Sequence, residues 1–315
     1  MKFKKVFDER IYRNFLGRSP LSKTNYEILY KHYTDFGIYE GHTVHNNSRF
    51  DYFNFNDDSS VLEIGPAWAP ICNHSKPNIY SIDICSQEEL IKKAKADKNI
   101  KNSQIKNIPK TDFLLSANDF SITKSVKNKK FDYIISSHNF EHFPNLIKYL
   151  NDYSSILNDN GYIVAFIPDC RFEFDNLRKK TSLADILSDY YNERIRPSFK
   201  QTLDMRLLHC ENNALKHWTN HINSLYNPKI LDLKPRDDSI RDKYANTYFT
   251  KEKIDNLYKE SQKTYLDTHN YTFTSKTFET YINTLFNLKY INLKIHKMYH
   301  TLRNKNEFCV VLKKQ

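Results

Sequence analysis

Val61-Leu62-Glu63-Ile64-Gly65-Pro66-Ala67-Trp68-Ala69-Pro70 is the stretch on which the fold turns. It reads as a buried strand running into a tight turn. Val61, Leu62 and Ile64 favour a strand, Glu63 is the one charged residue among them, and Gly65 ends the run. The chain holds only five glycines in 315 residues, so a glycine here has a specific job. Just past a strand it lets the backbone approach a ligand where a Cβ would clash. Further on, Tyr80-Ser81-Ile82-Asp83-Ile84 reads as a second strand with an acid near its end. A carboxylate there can accept from both hydroxyls of a ribose diol.

The turn lacks the full G-x-G-x-x-G ladder, so no pyrophosphate cradle is expected. A nucleoside without phosphates suits it, and S-adenosylmethionine fits that description. Downstream the pattern repeats. Glu88 to Lys98 reads as a helix and Thr111 to Leu115 as a third strand, followed by Asp119. Phe131 to His138 is a fourth strand, Asn145 to Asn158 a helix, Asn160-Gly161 a turn, and Tyr162 to Pro168 a fifth strand. Strand, helix and strand in this order predict right-handed crossovers and a parallel sheet of the doubly wound α/β class. Ligands of such sheets bind outside the carboxyl ends of the strands, which predicts one rim carrying Gly65, Asp83, His138 and Asp169. Residues 170–270 interrupt the pattern with a polar segment dense in His and Asn. An insertion at that point lies over the rim and is expected to hold an acceptor. Thr274 to Leu288 then reads as a helix with Ser275 as N-cap, and Tyr290 to Tyr299 and Glu307 to Lys313 as closing strands.

Several of these stretches resemble one family of class I S-adenosylmethionine-dependent methyltransferases. Val61 to Pro70 is similar to its E-I-G-P-x-x-x-P motif. Phe131 to Pro144 resembles F-D-x-V-x-x-S-H-V-x-E-H-x-P, and Ile167 to Asp175 resembles I-P-D-K-R-Y-x-F-D. Asn212 to Trp218, His269 to Thr274 and Asn304 to Cys309 continue the match. The resemblance covers about residues 55–313 and departs at Trp68, Cys170 and Glu173. It implies a Rossmann-like methyltransferase sheet, mostly parallel with an antiparallel final strand, over residues 51–315. It also implies S-adenosyl-L-methionine as cofactor, held by Glu63, Gly65, Pro66, Ala67, Asp83, Ile84, Ser136 and Ser137. Asp119 either accepts from the adenine amine, as an acid at that place does in such enzymes, or caps a turn.

Residues 1–50 precede this fold as a helical module. Lys31 to His42 is similar to the H-Y-x-x-x-G-x-x-E-G-R segment of a short module found in bacterial glycan-assembly proteins, with His42 in place of Arg. Members of the methyltransferase family are commonly associated with surface-glycan synthesis, which agrees. Residues 1–50 are thus an expected contact for other glycan-assembly enzymes.

Composition sets the outer bounds. Hydrophobic residues make up 39% and aromatics 14%, enough for a sizeable core. No apolar run reaches the roughly 18 residues of a spanning helix. The charged stretch Met1 to Arg10 is unlike a secretory signal. The five cysteines, Cys72, Cys85, Cys170, Cys210 and Cys309, are scattered. This predicts a reduced, cytoplasmic protein without disulfides or a structural zinc site. The net charge of +11 fits either a lysine- and asparagine-rich composition or a surface drawn to an anionic partner. Nucleic acid is not the expected partner.

A sulfonium methyl is already activated, so the remaining task is to align and deprotonate a nucleophile. His138, leaving the fourth strand at the rim, is the expected base. Asp169 serves either as a base or to fix Arg171. His217 and His221 either bind acceptor or pack. His138-Asn139-Phe140-Glu141-His142 shares the H-x-x-E-H spacing of some zinc peptidases. A strand end and Pro144 argue against that chemistry, and no metal ligands are assigned. An ion held by the His-rich insertion is the alternative. The expected activity is O-methylation of a sugar hydroxyl or phosphate-bearing substituent of a bacterial surface polysaccharide or its precursor. The rivals are an RNA or protein methyltransferase and a scaffold that binds cofactor without catalysis.

Overall fold

The computed structural model describes residues 2–3, 7, 9–37, 49, 52–116, 120–219 and 250–315. Two short strands, β1 (Lys2–Phe3) and β2 (Phe53–Asn54), pair antiparallel. The main sheet comprises β3 (Val61–Ile64), β4 (Ile79–Asp83), β5 (Phe113–Leu114), β6 (Phe131–Ser137), β7 (Leu157–Pro168), β8 (Leu293–Tyr299) and β9 (Glu307–Lys314). Their order is β5-β4-β3-β6-β7-β9-β8. The first five run parallel, and β9 lies antiparallel between β7 and β8. This is the Rossmann-like class I methyltransferase sheet, with its antiparallel final strand.

Every residue of β3 is buried, as expected of a central parallel strand covered on both faces. Leu62, Ile64, Ile82, Ile134 and Ile163 face one apolar cluster, while Val61, Ile79, Ile135 and Val164 face the other. Alternation along each strand therefore feeds two cores.

The helices start where the sequence offers caps. The helix Gln87–Ala96 opens with a capping box between Ser86 and Glu89. The helix Leu146–Ile156 is capped by Asn145, whose side chain accepts from Lys148 N at 3.0 Å. The helix Ser275–Asn287 is capped by Thr274, not by Ser275. Ser275 is the first helical residue, and its buried hydroxyl lies 3.0 Å from His300 Nδ1. The expected Asn160-Gly161 turn lies inside β7, where Asn158 to Gly161 stand between the Leu157–Phe131 and Tyr162–Tyr133 pairs. Asn160 takes the left-handed conformation, and the register against β6 shifts between Phe131 and Tyr133.

The N-terminal helices Glu9–Leu16 and Tyr26–His32 lead into the wide turn Tyr33–Gly37. They pack through Phe7, Tyr12, Leu29 and Tyr33 onto Phe172, Trp218 and Leu302. His42 and the rest of the quoted motif beyond Gly37 lie outside the described residues. The five cysteines are free thiols, all buried except Cys210, which is half-buried. No helix among the described residues is long and apolar enough to cross a membrane.

Candidate active site

The strand order reverses between β3 and β6, and a crevice opens at their carboxyl ends. Asn139 ties the two ends together: its amide nitrogen donates to Ile64 O at 3.0 Å and to Ser137 O at 2.8 Å. Gly65 takes φ +58, and a Cβ built there would stand 2.6 Å from Asn139 Oδ1. The glycine thus serves two needs, a left-handed turn and room for the Asn139 clamp.

A cavity of about 320 Å³ begins here. Gly65, Ala67 and Trp68 after β3, Asp83, Ile84 and Cys85 after β4, and Leu115 after β5 form one side. His138, Asn139, His142 and Phe143 form another. Phe120, Tyr265 and Asp267 close it. The last two come from the end of the insertion, so that segment does reach the rim. Tyr265 and Phe120 pack with ring centroids 4.8 Å apart.

Asp83 is 8% exposed at the end of β4. Its Oδ1 accepts from Cys85 N at 3.0 Å. Burial raises its carboxyl above the ordinary range, against the pull of the Cys85 and neighbouring amides and of Lys93. Such a carboxylate gains from a hydroxyl donor that replaces lost water. Beside it Ile84 is an exposed apolar residue on the cavity wall. A buried acid, an apolar shelf and close backbone make a site that fits a nucleoside.

His138 leaves β6 with φ +50, an uncommon conformation for a residue with a Cβ. Its amide donates to Phe166 O at 2.9 Å. Its Nε2 lies 2.8 Å from Glu307 Oε2. Arg49 grips the same carboxylate through Nε at 2.9 Å and an Nη at 2.6 Å. Burial works to raise the Glu307 carboxyl, but hydrogen bonds from His138 and Arg49 outweigh it and hold it down to about 2. An imidazole on the cavity wall is therefore oriented by an ionised carboxylate.

Other sequence candidates fall elsewhere. Glu63 is buried behind the turn and does not line the cavity. Its two oxygens accept from Ile71 N at 2.6 Å and Cys72 N at 2.9 Å, and His74 Nε2 is 2.7 Å away. It holds the loop after β3 in shape, acting on the site through the backbone. Pro66, Ser136 and Ser137 are also absent from the cavity wall, whereas Gly65, Ala67, Asp83 and Ile84 line it. Asp119 and His221 lie outside the described residues.

Asp169 does not reach the cavity as a base. It is fully buried, with Arg171 bound to both oxygens at 2.9 and 2.7 Å and Thr301 Oγ1 at 2.7 Å. Burial works to raise its carboxyl, and Arg171 and Thr301 outweigh that and hold it below the ordinary range. Of its two expected roles, fixing Arg171 is the one it fills. His217 is also absent from the cavity wall, with Nε2 2.7 Å from Glu211 O. Trp218 stacks on Phe172 at 3.8 Å and 5°, and donates to Lys305 O at 2.7 Å. It anchors the insertion to the N-terminal cluster and is absent from the cavity wall. Asn145 caps the helix that follows Glu141 and His142.

Sequence reasoning missed Asn139, Arg49, Glu307, Tyr265 and Asp267. Asn139 and Glu307 lie inside stretches quoted for the resemblance, but no local pattern shows what they touch.

A family model described as a methyltransferase domain matches residues 43–223. No curated protein matches the sequence. Among solved structures, a Listeria monocytogenes protein assigned as an S-adenosylmethionine-dependent methyltransferase is 14% identical, covering 82% of this chain and 91% of its own, with a TM-score of 0.38. A Methanosarcina mazei protein of the same description is 14% identical, with 82% and 94% covered and a TM-score of 0.35. The plantazolicin methyltransferase BpumL in complex with SAH is 12% identical, with 98% and 95% covered and a TM-score of 0.37.

Proposed function

This chain belongs to the methyltransferase-domain family of S-adenosylmethionine-dependent enzymes, and we propose that it methylates a hydroxyl of a sugar in a bacterial surface polysaccharide or its precursor. The observation that carries the hydroxyl is the His138–Glu307 pair at the cavity wall. A neutral hydroxyl must lose a proton as it attacks, and a positioned imidazole serves that need. A phosphate-bearing acceptor is already anionic and has no use for the pair. The sugar rests on the stretches that resemble glycan-associated methyltransferases and on the N-terminal motif.

The donor supplies a methyl group on a positively charged sulfur. Asp83 would accept from its ribose, Ile84 and Phe120 would line the space for its base, and Gly65 would let the backbone come close. His138 takes the acceptor proton through Nδ1, because Nε2 is engaged by Glu307. Tyr265 and Asp267 close over the cavity and exclude water.

Incubation with labelled donor and lipid-linked or soluble glycan precursors tests this reading. Label in a sugar methyl ether supports it. Label in RNA or protein alone, or none in a chain that binds donor, overturns it.

A further inference from the structure

Beside the cavity lies a buried carboxylate with no hydrogen-bond donor. Glu141 is 0% exposed in the turn Phe140–His142. Neither of its side-chain oxygens has a hydrogen-bond partner among the described residues. Three imidazoles surround it instead. Oε1 is 3.6 Å from His142 Nε2, 3.8 Å from His269 Nε2 and 3.9 Å from His138 Nδ1. Direct charge-assisted hydrogen bonds would bring these atoms to about 2.7–2.9 Å. The histidines therefore converge on the carboxylate without bonding to it, although an unpaired buried carboxylate costs several kcal/mol.

The far nitrogens of two of these rings explain their aim. His269 Nδ1 lies 2.6 Å from Asp175 Oδ2, and His142 Nδ1 lies 2.9 Å from Asp267 Oδ1. The hydrogen bond to Asp175 fixes the His269 proton on Nδ1 and leaves its Nε2 lone pair free, the usual support for a metal-binding histidine; Asp267 stands at ion-pair distance from His142 Nδ1 without hydrogen-bond geometry. The Nε2 atoms of both rings face Glu141. One ligand atom from each of Glu141, His142 and His269 fits within a sphere of mutual distances up to 4.8 Å. Bonds of about 2.0–2.2 Å to one ion set its ligands roughly 3.3 Å apart, close to the carboxylate–imidazole spacings seen.

We propose that Glu141, His142 and His269 form a binding site for a divalent transition-metal ion. Two imidazoles and one carboxylate suit Zn²⁺ or Fe²⁺ and disfavour Ca²⁺ and Mg²⁺, which prefer oxygen ligands. Three protein ligands leave a position open, and His142 and Asp267 are on the cavity wall, which sets the cluster beside the cavity, although Glu141 and His269 themselves are buried. The site itself stands on the cluster; its role rests on the hydroxyl-acceptor reading above. On that reading an ion held there would polarise the acceptor hydroxyl. The O–H proton passes to His138 Nδ1, the oxygen forms its bond to the methyl carbon, and the C–S pair returns to sulfur, leaving a neutral thioether.

Titration of the chelator-treated full chain with Co²⁺ and Zn²⁺ tests the site. The expected result is stoichiometric uptake of a single ion, a Co²⁺ visible spectrum of low coordination number, and displacement by Zn²⁺. Glu141→Gln and His269→Asn should abolish uptake. Asp267→Asn, at a more exposed position, should weaken it about 10–100-fold. Glu141→Gln also removes an uncompensated charge, so its metal-free form should melt no lower than wild type while losing the metal-induced rise in Tm. Absence of stoichiometric uptake by the wild type, or uptake unchanged in folded Glu141→Gln and His269→Asn, overturns the proposal. These readouts need no turnover, so failure of the sugar-hydroxyl reading leaves them standing, and their failure leaves that reading intact.

Discussion

His138 Nε2 and Glu307 Oε2 are 2.8 Å apart although 169 residues separate them in the chain. The contact leaves only one nitrogen of the imidazole free to work in the cavity. His138→Ala should lower turnover about 10²–10⁴-fold while donor affinity stays near wild type. Glu307→Gln keeps the shape but removes the orienting charge, so it should lower kcat by a smaller factor and shift the pH profile. Rates against pH for both variants check this. A His138→Ala rate within about threefold of wild type would exclude the residue as base.

Asp83 carries the donor-binding assignment. Asp83→Ala removes the buried carboxylate proposed to accept from the ribose hydroxyls and should cost on the order of 1.5–3 kcal/mol of donor affinity. Calorimetry with S-adenosylmethionine reads it directly. Unchanged affinity in a folded variant would move the ribose elsewhere.

Two glycines provide an internal comparison. Gly17 and Gly65 have φ +55 and +58, but a Cβ at Gly17 meets nothing within 4 Å. Both alanine variants bear the left-handed cost of about 1–2 kcal/mol. Only Gly65→Ala also displaces Asn139, which links β3 to β6. Gly65→Ala should therefore be the less stable in denaturant titrations and should alone weaken donor binding.

Trp218 is buried against Phe172 and hydrogen-bonded to Lys305. Trp218→Ala should cost about 3–5 kcal/mol of stability. Activity per folded molecule should change little. A selective rise in acceptor KM with unchanged stability would instead put the ring in the acceptor site.

His300 and Glu307 both contribute to the loss of stability in acid, beside other depressed carboxyls such as Asp169 and Asp175. His300 is depressed from 6.5 to about 4, first by burial and then by Lys276. The unfolded chain takes up that proton first, so stability falls as pH drops from 6.5 towards 4. Glu307 is depressed from 4.5 to about 2. Its stabilisation is complete above pH 4.5 and is lost as pH falls through about 2, on the order of 3 kcal/mol in all. The slope of unfolding free energy against pH should lessen in the upper window for His300→Asn and in the lower one for Glu307→Gln.

The sequence by itself determined the succession of strands and helices, the crevice at Gly65 and Asp83, and the covering insertion. Those features follow from local rules: apolar runs of strand length, capping residues such as Ser86 and Asn145, and glycine where φ is positive. The tertiary structure alone decided which side chains meet. Pro168 pairs with Glu307 in the antiparallel register of β7 and β9, and that register carries Glu307 to His138 at the rim. The return of the chain after residue 250 likewise sets His269 against Glu141 and Asp175. The same packing turned Glu63 towards the amides of Ile71 and Cys72, Asp169 towards Arg171, and Trp218 towards Phe172. Residue type could not foretell these pairings, because a carboxylate or imidazole has no local preference among partners that only strand register and chain return bring within reach.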